Sequence, residues 1–326
     1  MNNSKVLVSP SGVEFEAESD QTILAAALQN KIHLQHSCKN GECGVCEASL
    51  VSGEVAFDGN KISVGNFLTC KSVALSNVEI MAEYFPQLSQ IIQKTVPVKV
   101  DTFERTVSDV VRLVLRSPPT NRLDYLAGQY VELTYQGVTR PYSIANAKNA
   151  EGKIELHIRK VDSGKMSERL FAGVKENTLM RLRGPCGTFF LRESESPIIL
   201  LATGTGYAPI KAIVEELLAK NDSRPVFLYW GVRYQADLYC ELPKKWSNEY
   251  ENIHYIPVLS RVNEHWSGDI GYVQDVALAK HQSVSEYSVY ACGSPSMIED
   301  AKNKFKHSGH KLKNFFCDAF TAAKSG

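Results

Sequence analysis

Residues 36–50 read HSCKNGECGVCEASL, and the three cysteines in that stretch, Cys38, Cys43 and Cys46, stand at C-x4-C-x2-C spacing. A fourth, Cys70, follows in FLTCKS on a separate element. This is the ligand spacing of a 2Fe-2S cluster, because two irons bridged by sulfides need four thiolates and three of them can come from one tight loop. Gly41 and Gly44 let the loop turn and bring peptide N–H groups up to sulfur, where such hydrogen bonds help set the potential. The interval from Cys46 to Cys70 is somewhat short for the pattern, which trims a loop and removes no ligand. A zinc site would show two C-x2-C pairs or Cys/His pairs, and only one C-x2-C is present. A disulfide framework would suit a secreted chain, and nothing here marks one.

At 326 residues the chain is long enough for two or three domains, each with its own core. Its formal charge is zero but unevenly spread: residues 1–90 hold five Lys and ten Asp/Glu, whereas the rest carries 31 basic against 26 acidic residues. The acidic part suits docking of an electron-carrying domain on a partner, and suits equally a plain solvated face. Lys and Arg are scattered without a basic stripe or interleaved aromatics, so no nucleic-acid partner is expected. MNNSKVLVSPSG has no apolar signal core, and no apolar run approaches the ~20 residues of a membrane span, so the expectation is a cytoplasmic protein without a membrane partner.

Three textures follow one another along the chain. In residues 1–90, KVLVSP and VEFEAE form a hairpin through Ser11-Gly12, TILAAALQN a short helix, and EASLVSGEV and NVEIMAEY further strands, which together fit a small β-grasp domain. PQLSQIIQKTVP reads as a linker with one helical turn. Residues 97–193 carry short strands (VVRLVLRS, GQYVELTY, KIELHIRKV, TLMRLRGP) between turn residues, the pattern of an antiparallel β-barrel. Inside it, GKMSERL places Gly164 and Ser167 at the start of a helical run, where N–H groups and a hydroxyl can meet a diphosphate. Residues 194–326 alternate strands and helices, so a parallel sheet with ligands at its C-terminal strand ends is expected. The fold class is thus multidomain, α+β followed by α/β. The first helix there has Ile210, Ile213, Val214, Leu217 and Leu218 on one face. ATGTGYAP is not a Rossmann G-x-G-x-x-G, and alone it is equally a strand-to-helix turn.

With RPYS, G-x-x-S, GPCGTFF, GTGYAP, YWGVR and YACGSP in that order behind the cysteine loop, the chain resembles the ferredoxin-NADP reductase superfamily. Within it the likeness is to iron-sulfur flavoprotein reductases with an N-terminal plant-type ferredoxin domain. SGEV, YSIAN, IELHIRKV, YACGS and FFCDAF carry a closer resemblance to the CDP-6-deoxy-Δ3,4-glucoseen reductases of deoxysugar biosynthesis. The resemblance implies a 2Fe-2S cluster on Cys38, Cys43, Cys46 and Cys70, bound FAD, and NADH as electron donor, with NADPH left open. It implies that Arg140 pairs with FAD phosphate, Tyr142 packs on the flavin, and Ser143 hydrogen-bonds near its N5. His157 and Arg159 would lie along the flavin, His157 being equally an ordinary strand residue. Gly164, Lys165, Met166 and Ser167 would cradle the FAD diphosphate. Gly204, Thr205, Gly206 and Pro209 would hold the nicotinamide nucleotide's phosphates, with Gly231, Arg233 and Gly293 beside it. Cys292, after the last strand, would sit by nicotinamide C4 as a second catalytic residue with Ser143, and Phe320 would cover the flavin face. Cys186, Cys240 and Cys317 read as small buried side chains.

A hydride carries two electrons and the cluster takes one, so the implied route runs from NAD(P)H through FAD to the cluster and on to an acceptor protein. One acceptor is a pyridoxamine-phosphate iron-sulfur dehydrase acting on a CDP-4-keto-6-deoxyhexose. Another is a bacterial Rieske or di-iron oxygenase. A third reading is an electron-carrier or redox-sensing module without nucleotide turnover.

Overall fold

In β1 (Ser4–Ser9) Val6 and Val8 enter a core while Lys5 faces solvent, the two-residue period of a half-buried strand. It pairs antiparallel with β2 (Val13–Ala17) and parallel with β8 (Val78–Met81). With β3 (Glu47–Ser52) and β6 (Gly65–Leu68) these make a five-stranded sheet of order β2-β1-β8-β3-β6. A second, small sheet joins β4 (Val55–Phe57), β5 (Asn60–Ile62) and β7 (Val73–Ala74). Helix α1 (Ile23–Gln29) starts where Thr22 Oγ1 accepts the Ala25 N–H, and it buries Ile23, Leu24, Ala26 and Ala27. This is a β-grasp unit, and Cys46 and Cys70 belong to its apolar core.

The chain divides into two units, one up to Ile92 and one from Gln93 onward. The structure, a computed structural model, describes residues 3–262, 265–311 and 314–320. Of the stretch expected to be a linker, Pro86–Gln90 forms a 3-10 turn and residues from Lys94 are already strand.

The second unit begins with an antiparallel sheet of β9 (Lys94–Val107), β10 (Val110–Arg116), β11 (Tyr130–Tyr135), β12 (Val138–Ser143), β13 (Lys153–Arg159) and β14 (Leu179–Cys186). Its order is β12-β11-β14-β9-β10-β13, and it curls until Ile144, just past β12, bridges to Leu156 of β13. Ile154, Leu156 and Ile158 fill the interior of this half-closed barrel. By strand alternation Glu155, His157 and Arg159 lie on the outer face of β13. Helix α2 (Lys165–Phe171) follows, with Met166 and Leu170 in the same core.

Six parallel strands complete the unit, ordered β18-β17-β16-β15-β19-β20. They are β15 (Ile198–Thr203), β16 (Val226–Val232), β17 (Ile253–Leu259), β18 (Asp269–Ile270), β19 (Ser288–Gly293) and β20 (Phe315–Ala319). Ile198 to Ala202 are entirely buried, as expected of a central parallel strand covered on both faces. Helices α3 (Tyr207–Ala219), α4 (Leu242–Glu249), α5 (Val273–Lys280) and α6 (Pro295–His307) pack around the sheet. One expectation is corrected here. Cys292 is not after the last strand but inside β19, because FFCDAF, expected as a tail, supplies β20 and pairs parallel with β19. Among the described residues no helix is long and apolar enough to cross a membrane.

Candidate active site

The cysteine loop brings its four thiols together as two pairs. Cys46 Sγ lies 3.2 Å from Cys70 Sγ, and Cys38 is hydrogen-bonded to Cys43. The Cys38 thiol is drawn down to about 5, first by Cys43 and then by the backbone N–H groups of Asn40, Cys43 and Glu42 aimed at its sulfur. The Cys46 thiol is drawn down to about 7, chiefly by Cys70. Gly41 and Gly44 have φ of +87° and +67°, a left-handed conformation that glycine adopts without strain. Among the described residues no three His, Cys, Asp or Glu side chains gather on a point that one ion would occupy. Two thiol pairs with N–H groups directed at sulfur fit two irons that each take two thiolates. None of the eight cysteines is in a disulfide. Cys186 is buried, whereas Cys240 and Cys317 are only partly so.

In the second unit a cleft of about 1110 Å³ opens at the C-terminal ends of the parallel strands. Arg159, Gly204, Thr205, Gly231, Arg233, Gly293 and Phe320, all named from the sequence, line it together with Thr203. The Gly204–Gly206 turn is held from behind: Trp230 Nε1 donates to the Gly204 carbonyl at 3.0 Å, and Trp230 stacks on Tyr207 at 4.1 Å between centroids. Gly206 allows an unusually close approach, since a Cβ there would stand 2.2 Å from the Cys292 carbonyl oxygen. The cleft walls carry Arg159, Lys160, Arg233 and Lys304 together with Asp109, Asp162, Asp237, Asp275 and Asp300. Arg233 meets no carboxylate among the described residues, and the buried Nε of Arg159 has no partner although the same guanidinium contacts Asp109 at 3.1 Å. Arg140 does not line this cleft.

On the barrel side, Arg140, Tyr142 and Ser143 end β12. Arg140 donates to the Thr139 carbonyl at 2.8 Å, and burial raises the Tyr142 phenol to about 12. Ser143 is buried, its Oγ 3.5 Å from a carboxylate oxygen of Asp318 on β20. The Cys292 thiol is fully enclosed and pushed well above its usual range by burial, then by Asp318. Asp318 thus joins Ser143 and Cys292 into one cluster, a member that sequence reading missed because FFCDAF was weighed as a likeness and not as a strand.

Other residues fall elsewhere. His157 does not line the cleft; its side chain is 2% exposed, with Nε2 at 2.8 Å from Glu155 and Nδ1 at 3.0 Å from Tyr239 Oη. Pro209 is buried in the first turn of α3. The Ser167 Oγ lies 3.0 Å from both the Val161 and the Gly164 carbonyl and accepts from the Val161 N–H, so it shapes the turn before α2; Gly164 and Lys165 stand at the start of that helix, whereas the Met166 side chain is buried in the barrel core.

A cluster loop, a flavin-type barrel and a nucleotide cleft in one chain define an iron-sulfur flavoprotein oxidoreductase. Residues 6–75 match the 2Fe-2S iron-sulfur cluster binding domain, residues 97–191 the oxidoreductase FAD-binding domain, and residues 200–303 the oxidoreductase NAD-binding domain. The chain is 45% identical to the protein RfbI of Salmonella typhimurium, over 98% of this chain and 97% of that one. It is 44% identical to the CDP-6-deoxy-L-threo-D-glycero-4-hexulose-3-dehydrase reductase of Yersinia pseudotuberculosis, over 98% and 99%. Among solved structures, the Amycolatopsis cytochrome P450 reductase GcoB superposes with a TM-score of 0.75 at 28% identity, covering 98% of this chain and 99% of that one. The chain belongs to the ferredoxin-NADP reductase superfamily, among the reductases that carry an N-terminal plant-type ferredoxin domain. It is an NAD(P)H-dependent electron-transfer reductase with FAD and a 2Fe-2S cluster as its cofactors.

Proposed function

We propose that this reductase works in the cytoplasm and passes electrons from NADH to a pyridoxamine-phosphate iron-sulfur dehydrase that removes the C-3 hydroxyl of a CDP-linked 4-keto-6-deoxyhexose. The observation that carries the reading is end-to-end identity of 44% with a reductase named for that dehydrase, against 28% with a P450 reductase of the same architecture. The latter supports an oxygenase as the second reading of the acceptor. When bound, FAD accepts a hydride and gives up electrons singly, and the cluster carries one at a time.

The chain's own residues then have separate tasks. Arg140 and the residues from Gly164 to Met166 at the start of α2 would hold the FAD diphosphate by charge and N–H groups, and Tyr142 would pack against the isoalloxazine. Ser143, held toward Asp318, presents its hydroxyl at the reacting edge. Gly204 to Gly206, with Gly231, Arg233 and Gly293, would receive the dinucleotide, Arg159 would border it, and Phe320 would cover the flavin face. Cys292 shapes the wall at nicotinamide C4. Cys292→Ala is expected to lower the limiting rate of flavin reduction roughly tenfold with NADH affinity little changed, since placement and not charge is lost. Stopped-flow absorbance at rising NADH reads both quantities, and an unchanged limiting rate would remove Cys292 from the site. Gly206→Ala forces a methyl against backbone, so it is expected to cost about 1–3 kcal/mol of stability and, by displacing the turn, about 10²-fold in hydride transfer. Thermal unfolding and the same stopped-flow measurement check it; wild-type values in both would show that the turn tolerates the side chain.

The acceptor is tested by mixing the reductase with purified dehydrase, CDP-4-keto-6-deoxyhexose and NADH and following the deoxygenated sugar. No product with the intact reductase would transfer the assignment to an oxygenase.

A further inference from the structure

Lys211 lies four residues into α3, on the helix face that meets the barrel, and is 3% exposed. A lone ammonium at such depth is strongly disfavoured, and it persists only where carboxylates and carbonyls surround it. Its Nζ lies 2.6 Å from Glu215 on its own helix, 3.3 Å from Glu155 on β13, and 2.9 Å from the carbonyl of Ala145, just beyond β12. Glu155 accepts in turn from His157, which fixes that ring's proton on Nε2 and leaves Nδ1 to accept from Tyr239. Glu215 also accepts the Ala147 N–H at 2.9 Å. One buried charge therefore joins the three segments that carry the proposed flavin residues Tyr142 and Ser143, the cleft residue Arg159, and the nucleotide turn.

We propose that Lys211, with Glu155 and Glu215, is a positioning residue that fixes the separation of the flavin-holding barrel from the nicotinamide-holding turn. The inference rests on the assignment of β12 to FAD and of the Gly204–Gly206 turn to the dinucleotide. Apolar contacts between α3 and the barrel are non-directional and tolerate small slides. An ammonium held by a hydrogen bond to the Ala145 carbonyl, an ion pair to Glu155 and a hydrogen bond to Glu215 of its own helix does not, and hydride transfer is sensitive to displacements near 1 Å.

The test compares Lys211→Met and the double variant Lys211→Met/Glu155→Gln with wild type, each measured per bound FAD. The double variant leaves no unpaired Glu155 carboxylate in the seam and guards against a mere folding failure of the single one. Expected for both are NADH affinity within about threefold of wild type, a limiting flavin-reduction rate lower by about tenfold or more, and faster amide hydrogen exchange in residues 144–147 and 203–210 together. A wild-type limiting rate in the double variant, or unchanged exchange in those segments, overturns the proposal. Tyr142→Ala is run in parallel to separate the two levels. Full FAD retention there breaks the underlying assignment, whereas FAD loss there with a wild-type rate in the double variant breaks only the role of Lys211.

Discussion

Cys70→Ser is expected to strip the iron from the N-terminal unit while FAD stays bound at full occupancy. Cys70 Sγ is one of a pair at 3.2 Å with Cys46, and both sit in the apolar core of the unit that ends at Ile92. A serine oxygen is a harder, less readily ionised donor than thiolate, so one iron loses one of its two thiolates. The substitution also puts a hydroxyl into an apolar setting, at about 1–3 kcal/mol if it stays unpaired. The residues assigned to FAD belong to the second unit and to a different core, lined by Val111, Leu113, Leu133 and Leu156. Loss of the cluster should therefore not reach them. Iron and flavin per chain, with the visible and electron paramagnetic resonance spectra, check this; full iron with a native spectrum would show that Cys70 is not a ligand.

The cysteine loop was legible because a covalent requirement, four thiolates for two irons, writes itself into local spacing. The β13 core face was legible for a similar reason: Ile154, Leu156 and Ile158 alternate strictly. Their outward neighbours were harder to read. Glu155 and His157 look solvent-facing in a period-two pattern, and the packing of Lys211 and Tyr207 of α3 and of Tyr239 against them buries His157 and leaves Glu155 partly buried. Lys211 was hidden by the same cause, since the apolar stripe of Ile210, Ile213, Val214 and Leu217 marks one face of α3 while the barrel covers another. The partners of Lys211 lie 56 and 66 positions away at Glu155 and Ala145, a distance that no local pattern encodes. Asp318 escaped for want of a strand, because FFCDAF is too short and too near the C-terminal end for its periodicity to stand out. Burial by a distant segment hid Glu155 and Lys211, and a weak local signal hid Asp318.

The same cluster-free protein should reduce ferricyanide with NADH and yet give no deoxygenated sugar with the dehydrase. Ferricyanide is small enough to take electrons at the flavin edge, so the hydride half of the reaction needs only the second unit. A protein acceptor must dock, and the surface beside the cluster is where docking brings it within electron-transfer reach. Glu42 and Glu47 are exposed beside the cluster cysteines, in a region whose charge is acidic overall. If the acceptor binds that face through opposite charge, added salt should weaken the intact reductase's coupled reaction, because exposed charges are screened beyond ~10 Å at 0.1 M ionic strength. The ferricyanide reaction of the Cys70→Ser protein sets the baseline for hydride transfer under each condition, so a fall in sugar product alone isolates the step from cluster to acceptor. Product is followed at fixed NADH and dehydrase, with intact and cluster-free reductase side by side. Equal product from both would mean that electrons reach the dehydrase without passing the cluster, and the proposed order of electron flow would be wrong.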